Sequence, residues 1–369
     1  MKARSFARLA SAGLATLVAC VLIVGCGPTE KADTKKDDKK KDDVAAPADK
    51  PKDDATAKME ITVPVGLPPV PIPEDNPMTE AKVELGKLLY FDKRLSIDGT
   101  ISCATCHDPT KGWAERTPTS TGFEGQVGGR NAPTVINSAY ASSMFWDGRM
   151  ETLEQQALGP IENPIEMAHK LDDLVPQLNE IEGYKKRFKD VFGTEVTAKG
   201  IAKAIAAFER TVLSGNSPYD KFKAGDETAL TDVQKKGMEL FESAGCATCH
   251  APPVFSNWGF YNAGIGMDAE KPDEGRKDFT GMDSDLGKFR VPSLRDIANT
   301  GPYFHDGSVE TLEEAVKIMA EGGIANDNLS KMLAAVGDEE LSEDDQAAIV
   351  EFLKALTGDT PVIDPPELP

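Results

Sequence analysis

Four of the six cysteines and two of the four histidines fall in two copies of one short motif. The copies read Cys103-Ala-Thr-Cys106-His107 and Cys246-Ala-Thr-Cys249-His250. In a Cys-x-x-Cys-His sequence, both thiols can add across the vinyl groups of haem, while the adjoining imidazole binds the iron from one side. The motif therefore predicts two covalently bound haem c groups.

Zinc binding, a thioredoxin-like redox pair and chance are the alternative explanations of this motif. A zinc site needs a third and a fourth ligand at comparable spacing, and a redox pair does not require the following histidine. Two copies that use every cysteine outside the N-terminal segment favour haem attachment, and they leave no cysteine for disulfides.

The sequence that follows the motif is also duplicated. Residues 133–154 align without gaps on residues 292–313, and both copies end in Glu-Thr-Leu-Glu, which predicts the start of a helix. We therefore expect two homologous lobes. Their boundary is predicted near Asn216–Glu227, where Gly, Asn, Ser and Pro interrupt the helical pattern.

The elements that must position these motifs are helices. Apolar residues recur at helical spacing in six segments, several of which begin with a Ser or Thr suited to capping. The segments are Thr79–Phe91, Leu171–Leu178, Thr197–Leu213, Thr231–Ser243, Thr311–Ala320 and Ser342–Leu356. Alternating strand patterns are scarce, so the predicted fold is all-α with long irregular loops.

The chain has 369 residues, of which 28% are charged, and a formal net charge of −20. This composition is typical of a soluble globular protein, and it excludes a polytopic membrane protein, a collagen-like chain and a wholly disordered one. Nucleic-acid binding is not expected, because phosphate contacts need a basic surface. The first 26 residues carry three basic side chains, and the next 32 have equal numbers of acidic and basic ones. Residues 59–369 therefore carry a formal net charge of −23.

Residues 1–26 are predicted to be a lipoprotein-type signal peptide. A basic start precedes the apolar segment Leu9–Val24, and Gly25-Cys26 then resembles a lipobox, with Cys26 as the lipidated first residue of the mature chain. An ordinary secretory signal and a retained anchor are the alternatives. Residues 27–58 are rich in Lys, Asp, Ala and Pro and are predicted to be a disordered tether. We expect a periplasmic or cell-envelope protein, either lipid-anchored or soluble in the periplasm.

The ligand on the second face of each iron separates electron transfer from catalysis. An iron with two strong protein ligands exchanges electrons, whereas an iron with an open position can bind peroxide. Outside the motifs the histidines are His169 and His305, and a methionine thioether is the other common ligand. Spacing alone does not select among the eleven methionines, and either histidine could be purely structural.

Six further segments are distinctive. They are Arg130-Asn-Ala-Pro-Thr134, Phe145-Trp-Asp-Gly-Arg149, Gly159-Pro160 with Glu166-Met167, Val291-Pro-Ser-Leu-Arg295, Pro302-Tyr-Phe-His-Asp-Gly307 and Phe352-Leu-Lys-Ala-Leu-Thr-Gly358. In order and content they resemble the bacterial di-haem cytochrome c peroxidases, whose wider family includes the MauG-type enzymes of methylamine utilisation. The resemblance covers about residues 75–360. It implies two cytochrome c-like domains, a peroxidatic one at 59–220 and an electron-transfer one at 221–369.

The resemblance assigns different tasks to the two haems. The haem on Cys103, Cys106 and His107 would bind peroxide, and the haem on Cys246, Cys249 and His250 would receive electrons. In the peroxidases, a methionine fourteen residues after the His of Tyr-Phe-His-Asp-Gly is the sixth ligand of the second haem, and here that residue is Met319. The MauG enzyme has Tyr there, so Met319 favours the peroxidase branch. The equivalent residue of the first copy is Pro160, which cannot bind iron.

The resemblance also implies a set of catalytic residues. Glu166 matches the family's acid–base residue in the Gly-Pro…Glu-Met loop, and Gln156 matches the residue that holds the peroxide. Trp146 matches the tryptophan between the haems, which conducts electrons. Without the resemblance, Glu166 is typical of a solvated carboxylate and Trp146 of a core indole.

A calcium ion is the further cofactor that the resemblance implies. Asn131 and the carbonyls of Thr300 and Pro302 match the family's site between the haems, and such hard oxygen ligands suit Ca²⁺. Ligands from both copies would hold the two haems in a constant geometry. His305, in this comparison, lies beside the site and is not a ligand.

One position departs from the family pattern. Many members have a distal His in the loop before Arg130, and this ligand must leave the iron during reductive activation. The residue here is Phe123, which cannot coordinate iron. We therefore expect the N-terminal haem to be five-coordinate or water-ligated when fully oxidised, unless His169 replaces the missing ligand.

Together these features predict the two-electron reduction of hydrogen peroxide to water. The electron donor is expected to be a small exported c-type cytochrome or cupredoxin. The negative charge of the folded part favours a basic donor protein. The alternative is that this charge only keeps the surface solvated. A MauG-like oxidase of a protein or organic substrate and a non-catalytic di-haem electron carrier are the alternatives. The resemblance is compatible with a homodimer.

Overall fold

A computed structural model describes residues 57–338 and 340–369. The signal peptide predicted at 1–26, with its Cys26, lies outside the described residues, as does the predicted tether apart from its last two positions. No helix in the described ranges is long and apolar enough to cross a membrane.

The described part of the chain is mostly helical, which confirms the predicted fold class. The helices of the first half are α1 (Glu80–Phe91), α2 (Cys103–Cys106), α3 (Leu153–Glu162), α4 (Leu171–Asn179), α5 (Glu182–Phe192) and α6 (Ala198–Glu209). Those of the second half are α7 (Pro218–Lys223), α8 (Asp232–Ser243), α9 (Arg276–Thr280), α10 (Leu312–Ala320), α11 (Lys331–Gly337) and α12 (Glu343–Lys354). Strands β1 (Phe260–Tyr261) and β2 (Phe289–Arg290) form a short antiparallel ribbon.

The six predicted helices are all present, and the predicted caps explain where they begin. The hydroxyls of the cap residues each accept a hydrogen bond from an amide of the first helical turn, and these residues are Thr79, Thr197, Thr231, Thr311 and Ser342. The helix predicted to reach Leu213 ends at Glu209 instead. There the hydroxyl of Thr211 bonds to the carbonyl of Phe208 and draws the chain into a turn.

The buried apolar side chains form two main cores. The N-terminal lobe has a core of residues between Met78 and Val212, in which α1 packs against α6. The C-terminal lobe has a core of residues between Tyr219 and Leu356, in which α8 packs against α12. Each lobe thus pairs the helix before its Cys-x-x-Cys-His motif with the last helix of the repeat.

The two helix pairs cross in the same way. Gly86 of α1 lies against the carbonyl of Ala204 in α6, and Gly237 of α8 lies against the carbonyl of Ala348 in α12. A Cβ atom at either glycine would overlap that carbonyl. Only glycine permits such a close approach of two helices, so the duplication read from the motifs extends to the packing.

The backbone of the loops is duplicated as well. Asn137 and Phe145 have φ of 59° and 65°, and their equivalents Asp296 and Phe304 have φ of 58° and 67°. Such left-handed conformations are uncommon for residues other than glycine. Their recurrence at equivalent positions shows that both lobes use one loop design.

The two lobes are tied together at both ends of the described chain. The carbonyl of Pro361, beyond α12, accepts a hydrogen bond from Nε1 of the buried Trp113 at 2.8 Å. The carbonyl of Gly66, before α1, accepts one from Arg295 of the C-terminal lobe at 3.0 Å. Because these segments cross over, the domain ranges 59–220 and 221–369 stay predictions.

Candidate functional site

A cavity of about 460 Å³ lies in the C-terminal lobe, and we call it the C-terminal cavity. Its walls are mostly apolar side chains from α8, α10, α11 and α12. Cys246, Cys249, His250 and Met319 all line it. Two thiols, an imidazole and a thioether thus face one apolar space of ligand size, as a haem c group requires.

His250 is held in the form that binds iron. Its Nδ1 lies 3.1 Å from the carbonyl of Phe255, which can only accept, so Nδ1 carries the proton and Nε2 is left for a metal. Burial lowers the pKa of His250 to about 4, against the opposing effect of the Phe255 and Pro292 carbonyls. The ring is therefore neutral at neutral pH, as an iron ligand must be.

The first motif has a similar environment in the N-terminal lobe, except that Nδ1 of His107 makes no hydrogen bond like that of His250 within the described residues. α2 carries Cys103 and Cys106. Its N-cap residue is Ser102, whose amide donates a hydrogen bond to Oγ1 of Thr105 at 3.0 Å. Burial lowers the pKa of His107, and the carbonyls of Pro133 and Trp113 oppose this effect. Pro133 is the equivalent of Pro292, so both motif histidines have matching neighbours.

The thiols of both motifs are in environments that favour their neutral form. Burial raises the pKa of Cys106 and that of Cys246 to about 11, and it also raises the pKa of Cys103 and of Cys249. A zinc site or a redox pair needs a stabilised thiolate, whereas a thioether to haem is uncharged. Within the described ranges, no cluster of three or more His, Cys, Asp or Glu residues is arranged to hold a metal ion. The residues therefore fit haem attachment better than either alternative.

Glu166 lies in the loop after α3. Nδ2 of Asn163 donates a hydrogen bond to Oε1 of Glu166 at 2.7 Å. The amide of Met167 donates a hydrogen bond to the carbonyl of Pro160 in α3 at 3.2 Å. Burial raises the pKa of Glu166, and Asn163 and the positive charge of Arg149 oppose this shift. A half-buried carboxylate with a raised pKa is suited to transferring protons near neutral pH.

Gln156 and Pro160 lie on α3, one turn apart. α3 is the equivalent of α10, and Pro160 is the equivalent of Met319, so the N-terminal lobe has no thioether at this position. Gln156 is half-buried on the helix that leads into the Glu166 loop. The structure thus places the predicted acid–base residue and its predicted polar partner on one helix–loop unit.

Phe123 contacts this unit directly. Its amide donates a hydrogen bond to the carbonyl of Glu166 at 2.8 Å, and Gly122 lies against the backbone of Ile165 and Glu166. The residue that departs from the family pattern is therefore in contact with the predicted catalytic loop, which the sequence did not indicate.

A second cavity of about 90 Å³ lies between the lobes, and we call it the interlobe cavity. Asn131, Thr300 and Pro302, the three predicted calcium ligands, all line it. Nδ2 of Asn131 donates to the carbonyl of Thr117 at 2.9 Å, so Oδ1 is the atom left to bind a cation. The arrangement brings residues that carry oxygen donors from both lobes to one cavity.

Trp146 lines both cavities. Its indole Nε1 donates to the carbonyl of Asn131 at 2.9 Å, and its own carbonyl accepts from the amide of Arg290 at 2.7 Å. An aromatic ring from the N-terminal lobe therefore reaches the cavity of the C-terminal lobe.

The two remaining histidines are buried in different places. His305 lines the C-terminal cavity, and its ring stacks on Phe289 with centroids 3.5 Å apart. Burial lowers the pKa of His305 to about 4. His169 follows the Glu166 loop, and its amide bonds to the carbonyl of Ile161 at 2.8 Å.

The sequence assigned no role to three residues of this region: Asn163, Arg149 and Arg290. Asn163 donates a hydrogen bond to Glu166, and the charge of Arg149 lowers the pKa of Glu166 without a direct contact. Arg290 lines both cavities, and the internal repeat contains a signal for it, because Arg290 is the equivalent of Asn131.

The chain is similar to known proteins along most of its length. The protein-family model described as di-haem cytochrome c peroxidase matches residues 80–228, and the cytochrome c model matches residues 234–357. A cytochrome c551 peroxidase of Nitrosomonas europaea is 40% identical over 302 residues, which cover 81% of this chain and 86% of that protein.

Other relatives carry the MauG name. The methylamine utilization protein MauG of Methylorubrum extorquens is 38% identical over 305 residues, which cover 81% of this chain and 85% of that protein. The crystal structure of a MauG-like protein associated with microbial copper homeostasis is 34% identical, with a TM-score of 0.75. That similarity covers 82% of this chain and 96% of the other.

Proposed function

The chain belongs to the di-haem cytochrome c peroxidase family, and we propose that it reduces hydrogen peroxide to water with electrons from a small exported redox protein. The observation that carries this proposal is the difference between the lobes. Met319 and His250 line one cavity, whereas the equivalent of Met319 in the other lobe is Pro160, on the helix that leads to Glu166. The C-terminal lobe thus offers a second axial ligand to its haem, whereas the N-terminal lobe offers none at the equivalent position.

Haem, when bound, would supply peroxide binding in the N-terminal lobe, where Cys103, Cys106 and His107 would hold it, and electron entry in the C-terminal lobe, where Cys246, Cys249, His250 and Met319 would hold it. The residues of the chain manage the protons and the position of the peroxide. Glu166 takes a proton from one peroxide oxygen and delivers it to the other, and Gln156 holds the peroxide by hydrogen bonding. The balance is one peroxide, two electrons and two protons to two waters.

The electron donor is a c-type cytochrome or a cupredoxin. The net charge of −20 supports a basic donor, because opposite charge speeds encounter. The test is steady-state oxidation of a reduced basic cytochrome by peroxide in the presence of the purified di-haem protein. We expect the turnover rate to fall as the salt concentration is raised. No oxidation of either a cytochrome or a cupredoxin would contradict the proposal.

Phe123 removes the need for reductive activation. The proposal rests on the absence of an imidazole at this position and on the bond from its amide to Glu166. The fully oxidised protein should show one high-spin haem and react with peroxide without prior reduction. Two wholly low-spin ferric haems would overturn this and would point to His169 as the replacement ligand.

A MauG-like oxidase remains the second candidate, since Phe123 also leaves the N-terminal iron accessible to oxidative chemistry on another substrate. Met319 favours the peroxidase, as the MauG enzyme has Tyr at that position. Comparing peroxide turnover on reduced cytochrome with radical formation on a candidate protein substrate separates the two. A non-catalytic carrier would bind neither cyanide nor peroxide at either haem.

Calcium occupies the interlobe cavity and keeps the two haems at a constant distance and orientation. The support is that Asn131, Thr300 and Pro302 line this cavity together and that Asn131 keeps Oδ1 for a cation. Removal of calcium with a chelator should lower the thermal midpoint of the holoprotein and slow electron transfer between the haems. Unchanged calcium content in Asn131→Ala would exclude this site.

Export with lipidation at Cys26 places the protein in the cell envelope. The support is the lipobox-like end of the predicted signal peptide. Cys26→Ser should move the protein from the membrane fraction to the soluble periplasmic fraction. If wild type is already soluble there, the ordinary secretory signal is correct.

A further inference from the structure

Arg290, at the end of β2, lies where the two cavities meet. It lines both of them, and its guanidinium lies 5.1 Å from the ring centroid of Trp258. Cys246 and Cys249 line only the C-terminal cavity. Arg290 therefore lies at the interlobe end of that cavity, away from the cysteines that attach haem.

In the described part of the chain, the guanidinium of Arg290 has one backbone hydrogen-bond partner and no counter-ion. Its Nε donates to the carbonyl of Phe145 at 3.1 Å. No carboxylate of the described residues forms an ion pair with it, and burial alone lowers the pKa of Arg290 to about 10. An arginine remains charged at neutral pH under these conditions.

In the described residues, the buried Arg295 and Arg210 and the half-buried Arg130 each have a carboxylate partner. Arg295 bonds to Asp220 at 2.8 Å, Arg210 to Glu154 at 2.7 Å and Arg130 to Asp147 at 2.6 Å. Arg290 is half-buried because its side chain faces the two cavities, and it would lose its remaining contact with water once they are filled. A desolvated cation without an anion is destabilising, so an unpaired guanidinium at this place indicates an anion that binds there. Arg290 has no such carboxylate in the described residues, so we expect its anion to come from a bound group.

The anion is supplied by the cofactor. The charged groups of haem at neutral pH, apart from its iron, are two propionate carboxylates, on the edge opposite the vinyl carbons that cysteines take. Haem attached at Cys246 and Cys249 would have its propionates on the edge remote from these residues, and Arg290 lies in the part of the cavity that neither cysteine reaches. We propose that Arg290 is the counter-ion of a propionate of the C-terminal haem.

The pair separates the reduction potentials of the two haems. A fixed positive charge next to the propionate offsets its negative charge and stabilises the reduced haem, so the C-terminal potential rises. The equivalent residue of the N-terminal lobe is the uncharged Asn131. This inference rests on haem in the C-terminal cavity, and it does not depend on which reaction the protein catalyses.

The test is an optical redox titration of the holoprotein with Arg290→Gln. We expect the C-terminal haem to become about tenfold harder to reduce, a fall of about 59 mV for one electron, with little change at the N-terminal haem. The matched control is Arg276→Gln. It removes the same charge from the same lobe, but Arg276 lies near Asp285 at 3.8 Å and lines neither cavity. Equal shifts in both variants, or no shift in Arg290→Gln, would overturn the proposal.

A second variant keeps the proposal testable if Arg290→Gln does not assemble. Arg290→Lys retains the charge but loses the two-pronged donor geometry. It should keep most of the potential and shift the propionate-bending band in the resonance Raman spectrum, while Arg276→Lys leaves this band unchanged. An unshifted band in Arg290→Lys with both haems bound would contradict propionate pairing.

Discussion

The amide of Arg290 donates a hydrogen bond to the carbonyl of Trp146 across the lobe interface at 2.7 Å. The equivalent amide, that of Asn131, donates to the carbonyl of His305, the equivalent of Trp146, also at 2.7 Å. The duplicated lobes thus exchange the same bond in both directions. The side chains at these four positions have diverged, so the two halves of this symmetric contact present different groups to the interface.

Trp146→Phe is expected to slow electron transfer between the haems. The indole lines both cavities and is oriented by its bond to Asn131, and phenylalanine lacks that donor and part of the ring. Stopped-flow mixing of the half-reduced holoprotein with peroxide should show a slower reoxidation of the C-terminal haem, by about tenfold.

The control is Trp258→Phe, the same substitution at a tryptophan that lines only the interlobe cavity. It should change the rate of electron transfer little. If both variants slow the reaction equally, general loosening of the interface explains the effect and Trp146 has no special part in it.

Met319→Leu is expected to open the sixth position of the C-terminal haem. Leucine has a similar volume but no sulfur, so the cavity stays filled while the axial ligand is lost. The ferric spectrum should change from low-spin to high-spin at this haem, and its reduction potential should fall. Met332→Leu is the matched control, because Met332 lines the same cavity but is 43% exposed. A low-spin spectrum in Met319→Leu would remove Met319 as the ligand.

Glu166→Gln is expected to lower kcat for peroxide by about 100-fold or more, because the amide cannot accept the proton. Peroxide binding should change less, since the side chain keeps its size and its contact with Asn163. Glu124→Gln, on the exposed part of the Phe123 loop, should leave kcat unchanged. Equal rates in Glu166→Gln and wild type would exclude the assigned role.

The pH dependence of peroxide turnover should follow the ionisation of Glu166. Its ionised form is the active base, and burial raises its pKa, so kcat/KM should fall as the pH is lowered through that raised pKa. The acid limb should therefore lie above pH 4.5, the ordinary value for this carboxyl. Glu166→Gln should lose this limb, which a purely structural residue would not remove.

Glu209 should make the stability of the protein fall as the pH rises. It is 6% exposed, its Oε2 lacks a hydrogen-bond partner among the described residues, and burial raises its pKa to about 8 from 4.5. Between these values the unfolded chain releases the proton while the folded protein keeps it. The free energy of unfolding should therefore decrease from pH 5 to pH 8, by about 3 kcal/mol.

Glu209→Gln should be as stable as wild type at pH 5 and more stable at pH 8. The thermal midpoint of the holoprotein at both values measures this. Glu195→Gln, at an exposed position, should follow wild type at both. By the correspondence of the helix pairs, Glu209 is the equivalent of Leu353, which lines the C-terminal cavity, so the N-terminal lobe has a carboxyl where the C-terminal lobe has an apolar side chain. Parallel pH profiles for wild type and Glu209→Gln would rule out this carboxyl as the cause.

The sequence by itself determined the haem motifs, the duplication and six helices with their caps. These features are local, because covalent attachment needs only Cys103, Cys106 and His107 in one turn, and a cap such as Thr79 bonds to an amide three residues away. The resemblance added the remaining site residues by position, without showing what surrounds them.

Only the tertiary structure decided which charges are paired and which are buried. Phe123 meets Glu166 across 43 positions of sequence, and Arg290 meets Trp146 across 144, so no local pattern encodes either contact. Burial raises the pKa of Glu209 and lowers that of Arg290, and burial depends on every segment packed around a residue. The chemistry of attachment is thus a property of neighbouring residues, while the pairing and burial of charges are properties of the folded interface.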